Sequence, residues 1–210
     1  MNQYLVEWGF KGYFSCYNSN SRGVAILLNN NFEYKVYNTY IDEQGNYIAL
    51  DIEISDLRFT LMCIYGPNKD EPEFYKKITQ KIEEFENASL IICGDWNLVQ
   101  NQDMDTKNYK HENNIKSRSE VLKMKQELEL VDPWRENNPN SKRFTWRCRN
   151  PVRMARLDFF LTSNDIYTLS EKCFIEPGYR PDHSIITLKL HLKQRTQRQR
   201  ILENEHFSSA

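Results

Sequence analysis

Glycine is scarce in this chain, with 7 residues in 210, about half its usual share of roughly 7%. That scarcity excludes a collagen-like or linker-type polymer, and neither a G-x-G-x-x-G loop nor a Walker pattern occurs. Long apolar runs are also missing. The longest strongly apolar one, Val24 to Leu28, is far shorter than the roughly 20 residues that span a bilayer, so no membrane is expected as a partner. The opening residues Met1-Asn2-Gln3-Tyr4 lack a basic segment followed by an apolar one, so no signal peptide is readable. Cysteine is sparse and unpaired in pattern: Cys16, Cys63, Cys93, Cys148 and Cys173 are odd in number, widely spaced and form no C-x-x-C. This argues against a zinc site and a disulfide framework and for a reducing, intracellular setting. Cys63 and Cys93 lie in apolar runs and read as core.

Charge of one sign does not dominate either, since 28 Lys+Arg face 29 Asp+Glu. The balance is local rather than uniform. Lys142 to Leu157 carries six cations and no acid, and Lys189 to Arg200 carries five more without an acid. A neutral total therefore leaves room for a polyanionic partner.

Hydrophobic residues make up 40% of the chain, enough for a core, and their spacing is mostly of period two. Leu50, Ile52 and Ile54 alternate with Asp51 and Glu53, which predicts a strand with one wet face. Further strands are expected at Phe59 to Cys63, Gly23 to Leu28, Leu90 to Cys93, Phe144 to Arg147, Leu157 to Leu161 and Ile185 to Leu192. Two helices interrupt them, one carrying Phe74, Ile78, Ile82 and Phe85, the other Val121, Leu122, Lys125 and Leu128 with Ser117 or Ser119 as N-cap. Residues 100–116 and 135–143 read as surface loops. Strands outnumber helices, which predicts an α/β sheet sandwich rather than a doubly wound fold. One domain is expected over 1–192, with 193–210 as a basic tail or linker.

Chemistry-bearing residues cluster at the ends of these strands. Leu90-Ile91-Ile92-Cys93 delivers Gly94-Asp95-Trp96-Asn97, where a carboxylate can take a proton from water and an amide can donate to an oxyanion; the same residue types also form ordinary turns. Arg156-Leu157-Asp158 puts an acid into an apolar strand. Asp158 then faces solvent, pairs with Arg156, or serves another partner, because a bare buried carboxylate costs several kcal/mol. Pro181-Asp182-His183-Ser184 stands at a strand entrance, with Asp182 a hard oxygen ligand and His183 able to be held by a carboxylate such as Asp158. Tyr65, at the end of Cys63-Ile64-Tyr65-Gly66-Pro67-Asn68, could reach a phosphate or simply cap a strand.

The ordered set of Tyr65-Gly-Pro-Asn68, Gly94-Asp95-Trp96-Asn97, Phe144-Thr145-Trp146, Arg156-Leu157-Asp158 and Asp182-His183-Ser184 resembles the endonuclease/exonuclease/phosphatase superfamily over about residues 4–192. Within it the chain is most similar to the endonuclease domain of non-LTR (LINE-type) retrotransposons, through Ser21 to Leu27, Leu130-Val131-Asp132-Pro133-Trp134-Arg135 and Phe144-Thr145-Trp146-Arg147. An inositol-phosphate or sphingolipid phosphatase of the same superfamily fits these runs less well. The resemblance implies a four-layer sandwich of two mixed β-sheets flanked by helices. It implies Asp95 as general base, Asn97 as holder of the scissile phosphate, an Asp158–His183 dyad, Tyr65 as phosphate support and Asp182 in the shell of Mg²⁺, with Mn²⁺ as a substitute. It further implies DNA as substrate, with Arg147, Arg149 and Arg153 as phosphate or minor-groove contacts, a nuclear site of action and a reverse transcriptase domain in a longer parent.

Two family motifs have no match: an Asn on the first strand, and a Gln-Glu pair whose Glu is a principal metal ligand. Glu7, Glu33, Glu43 and Glu53 stand in the wrong context to replace that Glu, and Pro181 replaces the usual Ser before Asp-His. On the resemblance the chain reads as missing its first strands, and a non-catalytic remnant that retains at most nucleic-acid binding is the alternative to a Mg²⁺-dependent endonuclease.

Overall fold

A computed structural model describes residues 9–18, 21–109, 114–179 and 182–192. Glu7, Pro181 and the stretch 193–210 lie outside them. The centre is a five-stranded mixed sheet built from β3 (Lys35–Ile41), β4 (Tyr47–Ile54), β5 (Leu57–Tyr65), β6 (Leu90–Asp95) and β10 (Asp158–Thr162). Across the sheet their order is β10-β6-β5-β4-β3. All neighbours are antiparallel except β5 and β6. A parallel pair needs a crossover, and α1 (Pro72–Glu83) supplies it. The crossover brings the carboxyl ends of β5 and β6 to one edge, in register Tyr65↔Asp95. Strand β10 starts at that same edge, in register Asp158↔Asp95.

Helix α1 buries Ile78 and Ile82 of the stripe its periodicity predicts, with Tyr75 in place of the partly buried Phe74. Together with Val121 and Met124 of α3 (Ile115–Glu127) these cover Ala49, Met62, Ile64 and Ile92 on one side of the sheet. The other side packs Ile48, Leu50, Ile52, Phe59 and Ile91 against a layer of two hairpins. One hairpin is β1 (Phe10–Asn18) with β2 (Ser21–Asn29), which contributes Ile26 and Leu28; the other is β11 (Ser170–Pro177) with β12 (Ser184–Leu190). The sandwich expected from the sequence is thus present. Among the described residues, however, the outer face of the hairpin layer carries no helix and leaves Phe14, Leu27, Phe174 and Ile185 exposed.

A third group of short strands, β7 (Thr106–Lys107), β8 (Trp146–Arg149) and β9 (Val152–Ala155), forms its own sheet in the order β7-β9-β8. Strands β8 and β9 are the basic hairpin expected from the charge run, beginning two residues later than its period suggested. Short helices α2 (Gln102–Asp105), α4 (Pro133–Asn137) and α5 (Asn164–Thr168) complete the described elements. Two of them fall where surface loops were expected.

Three further expectations need correction. The expected wet face of strand β4 is half-exposed at Glu53 only, because Asp51 is buried and its carboxylate is satisfied by Arg58 and by Asn87 Nδ2 at 3.0 Å. Helix α3 starts at Asn114 rather than at a serine cap, and its free N–H groups at Lys116 and Ser117 are taken by the Asp70 carboxylate at 3.3 and 2.8 Å, a partner too distant in sequence for a local capping pattern to show. Cys63 and Cys93 are directly paired across β5 and β6, but both keep partial exposure.

Arg156 is the unexpected member of the core, only 1% exposed. It does not pair with Asp158. Its Nε donates to Asp105 at 2.8 Å and its Nη1 to Asp132 at 2.7 Å. Removing one partner of a buried ion pair leaves charge without compensation, at a cost of about 3–5 kcal/mol. Arg156→Met is expected to lose roughly that much in urea-induced unfolding, and Arg156→Lys somewhat less, because an ammonium keeps the charge but cannot fork between two carboxylates.

Candidate active site

The strand ends assemble a group of acids around one imidazole. Ligand atoms of Asp95, Asp158 and His183 all lie within 4.8 Å of one another. His183 Nδ1 and Asp158 Oδ2 are 3.0 Å apart. His183 reaches this position because its backbone is laid along the 145–147 segment: Arg147 N–H donates to Asp182 O at 2.9 Å and Ser184 N–H to Thr145 O at 2.7 Å. The Asp158 end is fixed by the buried Thr145 hydroxyl, which accepts from the N–H groups of both Leu157 and Asp158 at 2.9 Å. Thr145 therefore holds the two halves of the dyad, although the sequence marked it only as part of a motif.

Two glycines allow the close approaches. Gly94 has φ of +136°, and a Cβ on it would collide with Ile64 O. A Cβ on Gly66 would collide with Trp96 O. Asn97 takes a left-handed φ of +48°, which asparagine tolerates. Its backbone N–H donates to Asp95 Oδ1 at 2.9 Å and its Nδ2 to Gly66 O at 2.8 Å, so its amide plane is set.

Electrostatics distinguish the acids. Burial, and then the charge of Asp158, push Asp95 from 3.8 up to about 7, while the Asn97 N–H and His183 pull the other way. The hydrogen bond to Asp158 raises His183 above its ordinary value against the opposing effect of burial, and the charges of Asp95 and Asp182 add to the rise. Asp182 itself is exposed and stands outside the three-residue group. Tyr65 is half-buried beside Asp95, with its N–H held by Asn46 O at 2.6 Å. Arg147, Arg149 and Arg153 are exposed on the β8–β9 hairpin, and Arg147 Nη2 donates to Ser184 Oγ at 3.0 Å beside the dyad. Tyr109, from a stretch that read only as a polar loop, packs edge-on to Trp146 with ring centroids 5.4 Å apart, and burial pushes its hydroxyl up to about 12.

A water-activating carboxyl, a fixed amide and a carboxylate-held imidazole on one strand edge suit hydrolysis of a phosphate ester. The model of the Endonuclease/Exonuclease/phosphatase family matches residues 2–194. The chain belongs to that family. Among curated relatives it is 25% identical over 193 residues to the transposon TX1 uncharacterized 149 kDa protein of Xenopus laevis, which covers 89% of this chain but only 14% of that protein. Among solved structures it shares the fold of the 3′ phosphatase NExo from Neisseria bound to product DNA hairpin, with TM-score 0.71, 19% identity and coverage of 90% of this chain and 82% of that one. It is also similar to the endonuclease domain of TRAS1, a telomere-specific non-LTR retrotransposon, with TM-score 0.66, 16% identity and coverage of 88% and 81%.

A carboxyl raised by burial and by a neighbouring acid makes its ionised form a burden on the native state. The burden is absent below the unfolded value of 3.8, grows as pH rises, and is complete above about 7. Asp95→Asn removes it. The variant is expected to be more stable than the parent by roughly 2–4 kcal/mol above pH 7, with the difference vanishing below pH 4, as followed by thermal unfolding across a pH series.

Proposed function

We propose that this domain hydrolyses phosphodiester bonds in DNA with a divalent cation, Mg²⁺ or Mn²⁺, and that within a longer transposon protein it nicks target DNA. The observation that carries this reading is the close group of Asp95, Asp158 and His183 beside Asn97 and Tyr65 on one strand edge. The similarity to a transposon protein and to a retrotransposon endonuclease domain supports the choice of DNA. A reverse transcriptase domain in the parent protein and a nuclear site of action belong to the same proposal.

A cation suits the acid group. Asp95 and Asp158 repel one another strongly enough to help keep Asp95 protonated toward neutrality, and a cation held by these two carboxylates would relieve that repulsion, with substrate oxygens and water completing a shell of the kind Mg²⁺ takes. Bound there, it would offset the negative charge that builds on the phosphate. The chain's own groups do the rest. Asp95, whose carboxylate stands beside Asp158 and His183, is the group placed to take a proton from water. Asn97 has one amide N–H on Gly66 O and its second N–H available for a phosphate oxygen. His183, held through Nδ1 by Asp158 and made more basic by that contact, offers its other ring nitrogen to the developing charge. Tyr65 flanks the phosphate position, and Asp182 adds to the basicity of His183 and stands ready as an outer ligand. Arg147, Arg149 and Arg153 follow the DNA backbone.

A second reading, a DNA-binding domain without turnover, is favoured by one observation: within the acid group Asp158 is already committed to His183, which leaves Asp95 as the other carboxylate there. Plasmid relaxation with and without EDTA separates the two. Weak EDTA-sensitive nicking, abolished by His183→Ala, is the expected result. Nicking that ignores EDTA overturns the reading, and DNA binding without any nicking establishes the second.

Binding itself tests the basic hairpin. Removing a single cation–phosphate pairing lowers the slope of log affinity against log salt by about one. The triple variant Arg147→Ala, Arg149→Ala, Arg153→Ala is expected to weaken duplex binding at low salt and to flatten that slope by up to about three. Fluorescence anisotropy across a salt series measures both; an unchanged slope in a folded protein would return the hairpin to a solvated surface feature.

A further inference from the structure

Three residues of Gly94-Asp95-Trp96-Asn97 have work in the reading above, and Trp96 has none. It is nevertheless the point at which the site's elements meet. Trp96 is fully buried. Its backbone N–H donates to Leu157 O at 2.9 Å, and its indole Nε1–H donates to Phe159 O at 3.0 Å. Those two carbonyls flank Asp158. The Trp96 carbonyl accepts from Tyr75 Oη at 2.6 Å and lies against Gly66, the residue after Tyr65. Its ring lies parallel between Tyr75, at 6.3 Å and 4°, and Phe159, at 4.8 Å and 7°. In sequence it separates Asp95 from Asn97.

Apolar packing alone would need no N–H on this ring. Phenylalanine or leucine would fill an apolar slot, and an indole is well placed in a core only where its N–H finds an acceptor. Here the acceptor belongs to the residue next to Asp158. We propose that Trp96 is a positioning residue: its two N–H groups grip the carbonyls on either side of Asp158 and thereby set the reach of that carboxylate to His183 and its distance from Asp95. Trp96 touches no reacting atom. The proposal rests on the reading of Asp95, Asp158 and His183 as the hydrolytic group, and it adds what fixes their separation.

The test compares the parent chain with Trp96→Phe, which keeps an aromatic ring and loses the N–H, and Trp96→Leu, which loses both. The first readout is the His183 Nδ1 to Asp158 Oδ2 contact, 3.0 Å in the parent, followed as the ring Nδ1–H signal by NMR. Both variants are expected to weaken that signal to a similar extent, whereas thermal stability falls further in Trp96→Leu. The second readout is nicking, where kcat falls by about tenfold and KM stays within about twofold, as misplacement of a reacting group predicts. A Trp96→Phe chain with an unchanged His183 Nδ1–H signal and unchanged kcat overturns the proposal and leaves Trp96 a packing residue. Absence of nicking in the parent chain defeats the hydrolytic reading, while the His183 Nδ1–H signal still decides the positioning role. Should Trp96→Leu fail to fold, Trp96→Phe, which keeps an aromatic ring in the slot, decides the proposal by itself.

Discussion

The Arg156 guanidinium is the constraint around which this domain is arranged. A cation that is 1% exposed is tolerated only with compensation on each side, and Asp105 and Asp132, at 0% and 2% exposure, provide it. The three residues come from three different places: the end of α2, the N-cap of α4 and the approach to β10. Gln100 Nε2 donates to Asp132 at 2.8 Å, and Lys125 of α3 donates to Gln100 at 2.9 Å, which extends the network to the helix layer. Such a cluster contributes little net stability against an apolar replacement. Its geometry is nevertheless demanding, since a fork that must meet two carboxylates admits few alternative packings. Two residues further on, that geometry becomes the position of Asp158.

The site runs on the opposite principle. In the core every charge meets its complement, whereas at the strand edge like charges are held together. Asp95 stands beside Asp158 and rises to about 7 because neither burial nor its neighbour favours ionisation. Its Asn97 contact and the nearby imidazole recover only part of that. The cost is borne by the surrounding grip: the Thr145 hydroxyl on two consecutive amides, the Trp96 indole on the Phe159 carbonyl, and the β12 entrance laid along residues 145–147. Perturbed groups gathered in this way are the usual mark of a working site. The exposed arginines of the β8–β9 hairpin begin within one hydrogen bond of Ser184, so the surface suited to a polyanion adjoins the chemistry directly.

What was legible in the sequence was whatever depends on neighbours close along the chain. The stripe of Phe74, Ile78 and Ile82 marked α1, period-two or continuous apolar runs marked β2, β5, β6, β10 and β12, and an acid-free run of cations marked the β8–β9 hairpin. Less legible were elements without a clean period. Strand β11 alternates exposed and half-buried residues with little apolar contrast, and β1 mixes polar and aromatic positions. Asp51 looked solvated because its partners Arg58 and Asn87 sit on other segments. The cap of α3 failed as a local pattern for the same reason, since Asp70 comes from before α1.

The sequence by itself determined the family, the strand ends at which Tyr65, Asp95, Asn97, Asp158 and His183 stand, and the segregation of charge, because motif order and hydropathy period are properties of the linear chain. Only the tertiary structure decided the partners. The Asp158–His183 pair was expected from the motif order, but the structure assigned Arg156 to Asp105 and Asp132, although Arg156 and Asp158 are two residues apart. It gave Thr145 and Trp96 their holding roles and packed Tyr109 against Trp146. The physical reason is that hydrogen bonds and charge pairs act over a few ångströms of space, and a crossover and two hairpins bring together residues that the chain keeps dozens of positions apart.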